Sequence, residues 1–237
     1  MKKLLQQIIE NGSFLLMCVG VAAALILIAK LAERRFRNMH KVSPARRVSI
    51  IGICSAMATV LHMLDFPLVF MAPDFYKLDF SELPVMLCGF YLGPSAAIVC
   101  EGLKILLKLM LQGTSTAFVG DFANFAVGCS MVLPAIIVYP LRKSRGSAIL
   151  GLCIGTVVLT VFGTAFNAVY LLPTFARLYG VELETLIGYG TAIHRSVDDV
   201  VSFVILCVAP LNLLKGILIS VLTMLLYTRV ARPLFGK

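Results

Sequence analysis

The chain has 237 residues, of which 59% are hydrophobic and only 14% are charged, whereas ordinary globular domains carry about 25% charged residues. Its long apolar runs are typical of an integral membrane protein built from helices, because a β-barrel would show alternating segments of about ten residues. The net charge of +9 does not indicate nucleic-acid binding, because the basic residues cluster between apolar spans, where such clusters set membrane orientation.

Two apolar spans come first, at residues 14–32 and 48–64. The first is followed at once by the basic run ERRFRNMHKVSPARR, which favours a retained membrane anchor over a cleaved signal peptide. The second contains Gly52, Ala56 and Ala58, small residues that let another helix approach closely. These residues alone favour packing within this chain over docking onto a partner.

Residues 65–79, DFPLVFMAPDFYKLD, interrupt the helical pattern. Pro67 and Pro73 oppose a continuous helix, and an apolar loop of this length beside a membrane is predicted to fold back as a plug or a lid. Ser81 is predicted to cap the next helix, a short one that ends near residue 92, with Glu82 in its first turn.

The span at residues 95–111 carries three charged side chains that we predict to be structural. Glu101 and Lys104 lie one turn apart and are expected to pair within the helix. Lys108 is expected to extend to the outer membrane interface.

Each of the later helices carries a polar side chain. Asp121 lies near the start of a helix at residues 118–141, which also contains Asn124, and Asn167 lies near the far end of the span at 148–172. Residues 174–199 are predicted to hold a short surface helix. The last apolar run, residues 211–228, opens with Asn212 and Lys215, which are one turn apart and project from the same face.

Three basic clusters predict the orientation of the chain. They lie at residues 33–47, at residues 142–145 and at the C-terminus (Arg229, Arg232 and Lys237), and all three belong on the cytoplasmic side. This topology brings the loop at 65–79 and four polar side chains to the outer side: Asn124, Asn167, Asn212 and Lys215. We expect these four to share one pocket that is open to the exterior. For any single asparagine, a hydrogen bond between helices is the alternative.

The seven cysteines lie in separate apolar segments: Cys18, Cys54, Cys88, Cys100, Cys129, Cys153 and Cys207. No CxxC motif or Cys/His cluster occurs in the sequence, so neither a metal site nor a disulfide framework is expected. Cysteine in such positions serves as a small apolar residue.

Six motifs occur in an order similar to that of a known family: LDFSELP (78–84), GFYLGP (89–94), EGLKILLKLMLQGTST (101–116), GDFANFAVG (120–128), NAVYLLP (167–173) and APLNLLKG (209–216). Over about residues 46–232 the chain resembles the riboflavin-binding S components of energy-coupling-factor (ECF) transporters. The resemblance implies a six-helix substrate-binding membrane domain at residues 46–237. An extra N-terminal transmembrane helix and a basic cytoplasmic linker would precede it at residues 1–45.

The resemblance also implies a function in the cell membrane. Such a protein captures riboflavin outside and delivers it to an energising module of one transmembrane coupling subunit and two ATPases. It implies no catalytic residue, metal or cofactor, since the flavin is cargo. Asn167, Asn212 and Lys215 match ligand-holding positions best, and Asn124 matches a family asparagine. The helix with Gly52, Ala56 and Ala58 matches the surface that docks on the coupling subunit, which makes docking the preferred interpretation.

Other functions are carried as alternatives. FMN is one alternative ligand, because Lys77 or Lys104 offers a positive charge for its phosphate, although no arginine cluster is evident. Another vitamin is a second alternative, although thiamine would call for an acidic or cation–π pocket. A membrane enzyme would use Asp79 and Glu82, or Asp198 and Asp199, as acid/base or metal carboxylates. A helix start and a solvated outer segment are the favoured interpretations of those acids.

Overall fold

The computed structural model describes residues 2–35, 42–139 and 145–235, and the chain within them is mostly helical. The helices are α1 (Lys2–Arg35), α2 (Pro44–Met63), α3 (Glu82–Leu92), α4 (Pro94–Gln112), α5 (Val119–Val138), α6 (Arg145–Phe166), α7 (Leu172–Tyr179), α8 (Leu183–Thr191), α9 (Val200–Phe203) and α10 (Ala209–Phe235). Short antiparallel strands β1 (Phe66–Pro67) and β2 (Lys77–Leu78) pair between α2 and α3. Parts of the predicted basic clusters, at 36–41, 140–144 and 236–237, lie outside the described residues.

Helices α2 to α6 and α10 pack into one bundle around a continuous apolar core. The centre of this core holds the fully buried side chains of Met86, Met131, Ile136, Leu152 and Ile219. Within the described chain, four helical stretches are long and apolar enough to cross a membrane: 44–63, 119–138, 145–179 and 200–227. α3 is a shorter apolar helix, and α4 carries three charged residues. The predicted all-α membrane bundle of six helices, with one additional N-terminal helix, is confirmed.

The additional helix α1 lies against the outside of this bundle. Its Ala29 is buried in a small apolar cluster with residues of α4 and α5, among them Ile98 and Leu133. At the end of α1, Glu33 accepts hydrogen bonds from Ser95 and from Arg47, the latter at 3.3 Å. The predicted span at 14–32 is therefore part of a longer helix that packs onto α4 and α5.

Two π-helical segments, Asn167–Leu171 and Val204–Val208, interrupt the helices that lead into and out of the α7–α9 region. In each, a backbone N–H bonds the carbonyl five residues earlier, from Leu172 to Asn167 and from Ala209 to Val204. A proline follows each segment at the same spacing, at 173 and 210. Proline lacks an N–H and clashes with the carbonyl four residues before it. The widened π turn before each proline accommodates the missing hydrogen bond and relieves the clash. Such π-bulges often occur at functional sites.

Glycines allow α6 to approach α5 closely. A Cβ added at Gly151 or Gly155 would lie 2.5 Å from the backbone oxygen of Ala135 or Met131, respectively. Small residues at helix contacts are the usual way in which membrane helices pack, since lipid provides no hydrophobic force between them.

Candidate functional site

A cavity of about 250 Å³ lies at one end of the bundle. Helix ends surround it, because α2 and α4 finish there, α5 and α10 begin there, and the π segment after α6 passes beside it. The segment of residues 64–81, here called the capping loop, covers it. The four predicted site residues all line this cavity: Asn124, Asn167, Asn212 and Lys215. They differ in exposure, since Asn124 is exposed, Asn167 is buried, and Asn212 and Lys215 are half-buried.

Lys215 is held by two carboxylates. Its Nζ donates to Asp79 Oδ2 at 3.0 Å and to Glu82 Oε1 at 3.1 Å, and both acids are 3% exposed. His62 Nδ1, on α2, lies 3.5 Å from Asp79 Oδ2. An ammonium carries three N–H donors, so one donor of Lys215 remains for the cavity. Burial raises the pKa of Asp79, but Lys215 and His62 lower it by more, and the pKa lies well below its ordinary value.

A second buried lysine extends this network into the bundle. Lys104 Nζ donates to Glu101 Oε1 at 2.5 Å and to Ser81 Oγ at 3.0 Å, and it lies 3.6 Å from Glu82 Oε1. Gly128 makes room for the pair, since a Cβ there would lie 2.2 Å from Glu101 Oε1. Three acids and two lysines thus share one buried cluster, here called the carboxylate–lysine cluster: Asp79, Glu82, Glu101, Lys104 and Lys215.

The contacts of Lys215 with Asp79 and Glu82 were not predicted from the sequence. The pairing of Glu101 with Lys104 is confirmed, and Glu82 does lie in the first turn of α3. The predicted cap by Ser81 is wrong, because the side chain makes no cap bond and instead accepts from Lys104. A buried role for Asp79 and Glu82 was missed; an acidic pair beside an apolar helix was the available signal. Asp199, by contrast, is exposed and caps α9.

The capping loop is fixed to the cavity wall by Tyr76. Its hydroxyl donates to Asn167 Oδ1 at 2.7 Å, while Asn167 Nδ2 donates to Gly163 O at 2.7 Å. Burial raises the pKa of Tyr76, so the phenol remains a donor. The Tyr76 ring packs on the apolar cluster that includes Leu172 and Phe203. The prediction that residues 65–79 fold back as a plug or lid agrees with this arrangement.

Asn212 has a buried donor without a partner. Among the described residues nothing accepts a hydrogen bond from its Nδ2, although the residue lines the cavity. Gly163 provides the space for this amide, because a Cβ there would lie 2.7 Å from Nδ2. An unpaired buried donor costs about 1–3 kcal/mol, so the cavity is prepared for a ligand that supplies an acceptor.

Two further lysines line the cavity in ion pairs. Lys77 Nζ lies 3.0 Å from Asp65 Oδ1, and Lys108 Nζ lies 2.7 Å from Asp121 Oδ1. Lys108 was predicted to extend to the outer interface; it lies at that end of α4 but turns to pair with α5. Lys104 was considered for a phosphate, yet it is fully buried and belongs to the carboxylate–lysine cluster.

The predicted docking residues on α2 do not share one face. Gly52 and Ala56 are exposed, with the large apolar side chains of Ile53, Met57 and Val60 beside them. Ala58 is fully buried in the core of this chain. It therefore lies outside the exposed face, because two residues along a helix turn the side chain by about 200°.

Comparison with known proteins relates this geometry to a family. Residues 46–227 match the family model described as ECF transporter, substrate-specific component. The riboflavin transporter RibU of Staphylococcus aureus is 33% identical over 84% of this chain and 95% of its own length. The riboflavin transporter FmnP of Bacillus subtilis is 28% identical over 78% and 92%. A solved S component of a bacterial ECF transporter is 33% identical, with a TM-score of 0.63 over 82% of this chain and all of its own.

The buried cluster generates a stability prediction. Lys104→Met leaves Glu101 without its cation, and we expect the free energy of unfolding to fall by about 3–5 kcal/mol. Chemical denaturation in detergent, followed by circular dichroism, measures the change. Lys104→Met combined with Glu101→Leu removes both charges and should recover most of the loss. Lys77→Met, which breaks an exposed pair, should cost at most about 1 kcal/mol. Wild-type stability of Lys104→Met would contradict the structural role of the cluster.

Proposed function

This chain belongs to the substrate-specific components of ECF transporters, and we propose that it binds riboflavin in the cavity under the capping loop as cargo for uptake. The main support for this ligand is the buried Nδ2 of Asn212, which has no hydrogen-bond partner among the described residues. It lies one helical turn from Lys215, which keeps one free donor on the same cavity. A ligand with adjacent acceptors on a flat apolar body meets both requirements.

Riboflavin has such an edge. The pyrimidine side of its isoalloxazine ring carries two carbonyl acceptors and one N–H donor between them. Lys215 and the Asn212 amide supply donors to the carbonyls, and Asn212 Oδ1 can accept from the ring N–H. Asn167 has one further N–H on Nδ2 beyond its bond to Gly163. Each matched hydrogen bond contributes about 0.5–1.5 kcal/mol, and more at the charged lysine.

The remaining lining suits the faces of a flat ring. Phe75, Val127, Leu171, Phe175 and Leu211 contribute apolar surface to the cavity. Aromatic and aliphatic side chains bury such a ring without requiring further hydrogen bonds. The exposed Asn124 lies at the rim of the cavity, where it would contact the polar ribityl chain of riboflavin.

Entry of the ligand requires movement of the capping loop. Asp79 anchors the base of the loop to Lys215, so the part that moves is the outer segment, residues 65–77. This segment is held by the hydrogen bond from Tyr76 to Asn167 and by apolar contacts such as that of Ala72 with the cluster around Leu172. The pair of Asp65 and Lys77 lies within the segment and need not break. Opening therefore leaves the carboxylate–lysine cluster intact and keeps Lys215 in position.

The charge pattern favours riboflavin over FMN. Each lysine that lines the cavity already has a carboxylate partner: Lys77 with Asp65, Lys108 with Asp121, and Lys215 with Asp79. A phosphate dianion would have to compete with these acids, and burial of an unmatched charge is costly. The same pairing leaves no free carboxylate on the described cavity wall for a cationic vitamin such as thiamine.

The partner and the topology are proposed on the same basis. Residues 46–237 form the substrate-binding domain, and residues 1–45 add an anchor whose helix packs on α4 and α5. The C-terminus is cytoplasmic, in agreement with the basic clusters. The exposed face of α2 around Gly52 and Ala56 docks on the transmembrane coupling subunit of an energising module with two ATPases. Its small residues allow close helix approach.

The ligand is tested with purified full-length protein in detergent. We expect a flavin absorption spectrum after growth with riboflavin, and quenching of riboflavin fluorescence on titration of stripped protein. FMN should bind at least roughly tenfold more weakly, which corresponds to 1.4 kcal/mol, and thiamine should not compete. A colourless protein that fails to quench riboflavin fluorescence would refute the assignment. Tighter binding of FMN than of riboflavin would mean that FMN is the cargo.

Asn212→Leu separates ligand binding from folding. Leucine has a similar volume and no unpaired donor, so the stability of the ligand-free protein should be unchanged or higher. Riboflavin affinity should fall about tenfold or more, as measured by fluorescence titration. Asn124→Ala, at the exposed rim, is the matched control and should change affinity less than about threefold. Equal affinities of wild type and Asn212→Leu would disprove the role of the amide. Lys215→Ala is a poorer test, because it also removes the nearest cation of two buried carboxylates, Asp79 and Glu82.

Ala56→Trp tests the docking face. The bulky ring should leave riboflavin binding intact but reduce energised riboflavin uptake about tenfold or more, because it keeps the partner helix at a distance. Uptake of labelled riboflavin into cells measures this effect. Val161→Trp, at an exposed position of α6, is the control and should transport normally. Normal uptake by Ala56→Trp would exclude this face.

A further inference from the structure

An apolar groove runs along the outside of the bundle between α6 and α10. It has a volume of about 600 Å³. Exposed side chains form its rims, including Ile149 and Val157 on α6 and Ile217 and Val221 on α10. The groove lies on the membrane-facing surface, away from the substrate cavity, and shares only α10 with the lining of that cavity.

The wall of the groove offers almost no free polar group. Its two hydroxyl side chains satisfy each other, since Thr156 Oγ1 and Ser220 Oγ lie 3.0 Å apart. The exposed thiol of Cys153 is the other polar lining group and is weakly polar. An occupant of this wall is therefore a hydrocarbon chain, because a polar ligand would lose its hydrogen bonds to water without replacement.

The register of α6 and α10 places two arginines, Arg145 and Arg229, at the same end of the groove. The contact of Thr156 with Ser220 sets the register of two antiparallel helices, which places Arg145 level with residue 231 and Arg229 level with residue 147. Arg145 precedes Ile149 by four residues and Arg229 follows Leu225 by four, so both extend the rows of residues that line the groove. Both are exposed, and neither forms an ion pair with a described carboxylate.

We propose that this groove binds one acyl chain of an anionic phospholipid, whose phosphate lies between Arg145 and Arg229. From Ile149 to Val157 the groove extends about 12 Å along the helix axis, close to the roughly 15 Å of hydrocarbon in one leaflet. The two guanidinium groups then lie at headgroup depth. Arginine binds phosphate through paired N–H donors. A zwitterionic lipid carries the same phosphate together with a compensating cation, whereas an anionic lipid keeps its net negative charge. The two arginines therefore favour anionic lipids.

A second protein helix fits the groove less well. A partner helix in a membrane packs on small residues, whereas the rims here carry branched side chains. Gly151 and Gly155 of α6 face α5 instead and are already covered. The apolar groove suits an acyl chain, and the two arginines at its end, which have no carboxylate partner among the described residues, suit an anionic headgroup.

The chain has no tryptophan, which permits a direct test. Val157→Trp places a single fluorophore in the groove of the full-length protein, and Val99→Trp places one on exposed α4 as the control. Each is reconstituted in vesicles that contain phosphatidylglycerol and phosphatidylcholine, with one of the two lipids brominated on its acyl chains. We expect brominated phosphatidylglycerol to quench Val157→Trp with about fivefold preference, and Val99→Trp to show no preference.

The arginines are tested in the Val157→Trp background. Arg145→Gln with Arg229→Gln should abolish the preference for phosphatidylglycerol, while Arg145→Lys with Arg229→Lys should retain most of it. Retained riboflavin binding in both variants shows that the fold is intact. Equal quenching by the two lipids at residue 157 overturns the proposal. So does a preference that survives the glutamine variant, or one that is equally strong at residue 99.

Discussion

Lys215 between Asp79 and Glu82 is the interaction on which the substrate end of this bundle depends. A charged side chain at membrane depth costs about 2.5–3.5 kcal/mol on insertion scales, and a buried carboxylate without a cation is at least as costly. Neither charge is tolerated alone, and together they connect α10 to the capping loop and to α3. Lys104 and Glu101 extend the cluster to α4. The geometry of the cavity therefore rests on electrostatic neutralisation rather than on apolar packing alone.

The same cluster distinguishes two parts of the site, one held by buried ion pairs and one held by other contacts. Two buried acids determine the position of Lys215 beside the cavity, so little side-chain entropy is lost when a ligand binds its remaining donor. Above it, residues 65–77 of the capping loop are held by the hydrogen bond of Tyr76 with Asn167 and by apolar contacts such as that of Ala72 with the cluster around Leu172. Asn167 itself lies in a π-helical turn, at the point where a helix opens before a proline. Donors held by buried ion pairs, below a loop segment held mainly by apolar contacts, are suited to capture and release of cargo.

The outer surface of the bundle has two membrane-facing features with different chemistry. α2 presents Gly52 and Ala56 among larger apolar residues and suits close contact with another helix. The groove between α6 and α10 presents branched rims and ends at Arg145 and Arg229, which suits a lipid. Because no residue of α2 lines the groove, a lipid bound there does not cover Gly52 or Ala56.

Apolar run lengths and basic clusters are local properties of the chain, and they predict the membrane class and the helical spans. They also predict which polar side chains reach the same end of the bundle: Asn124, Asn167, Asn212 and Lys215. The sequence also predicts that Glu101 lies beside Lys104, since residues one turn apart on a helix are neighbours. The contacts of Lys215 with Asp79 and Glu82, which are 136 and 133 residues away, become visible only in three dimensions. The same holds for the burial of Ala58 and the exposure of Ala56. Those outcomes depend on how helices rotate and pack against one another, and that is set by contacts between distant segments.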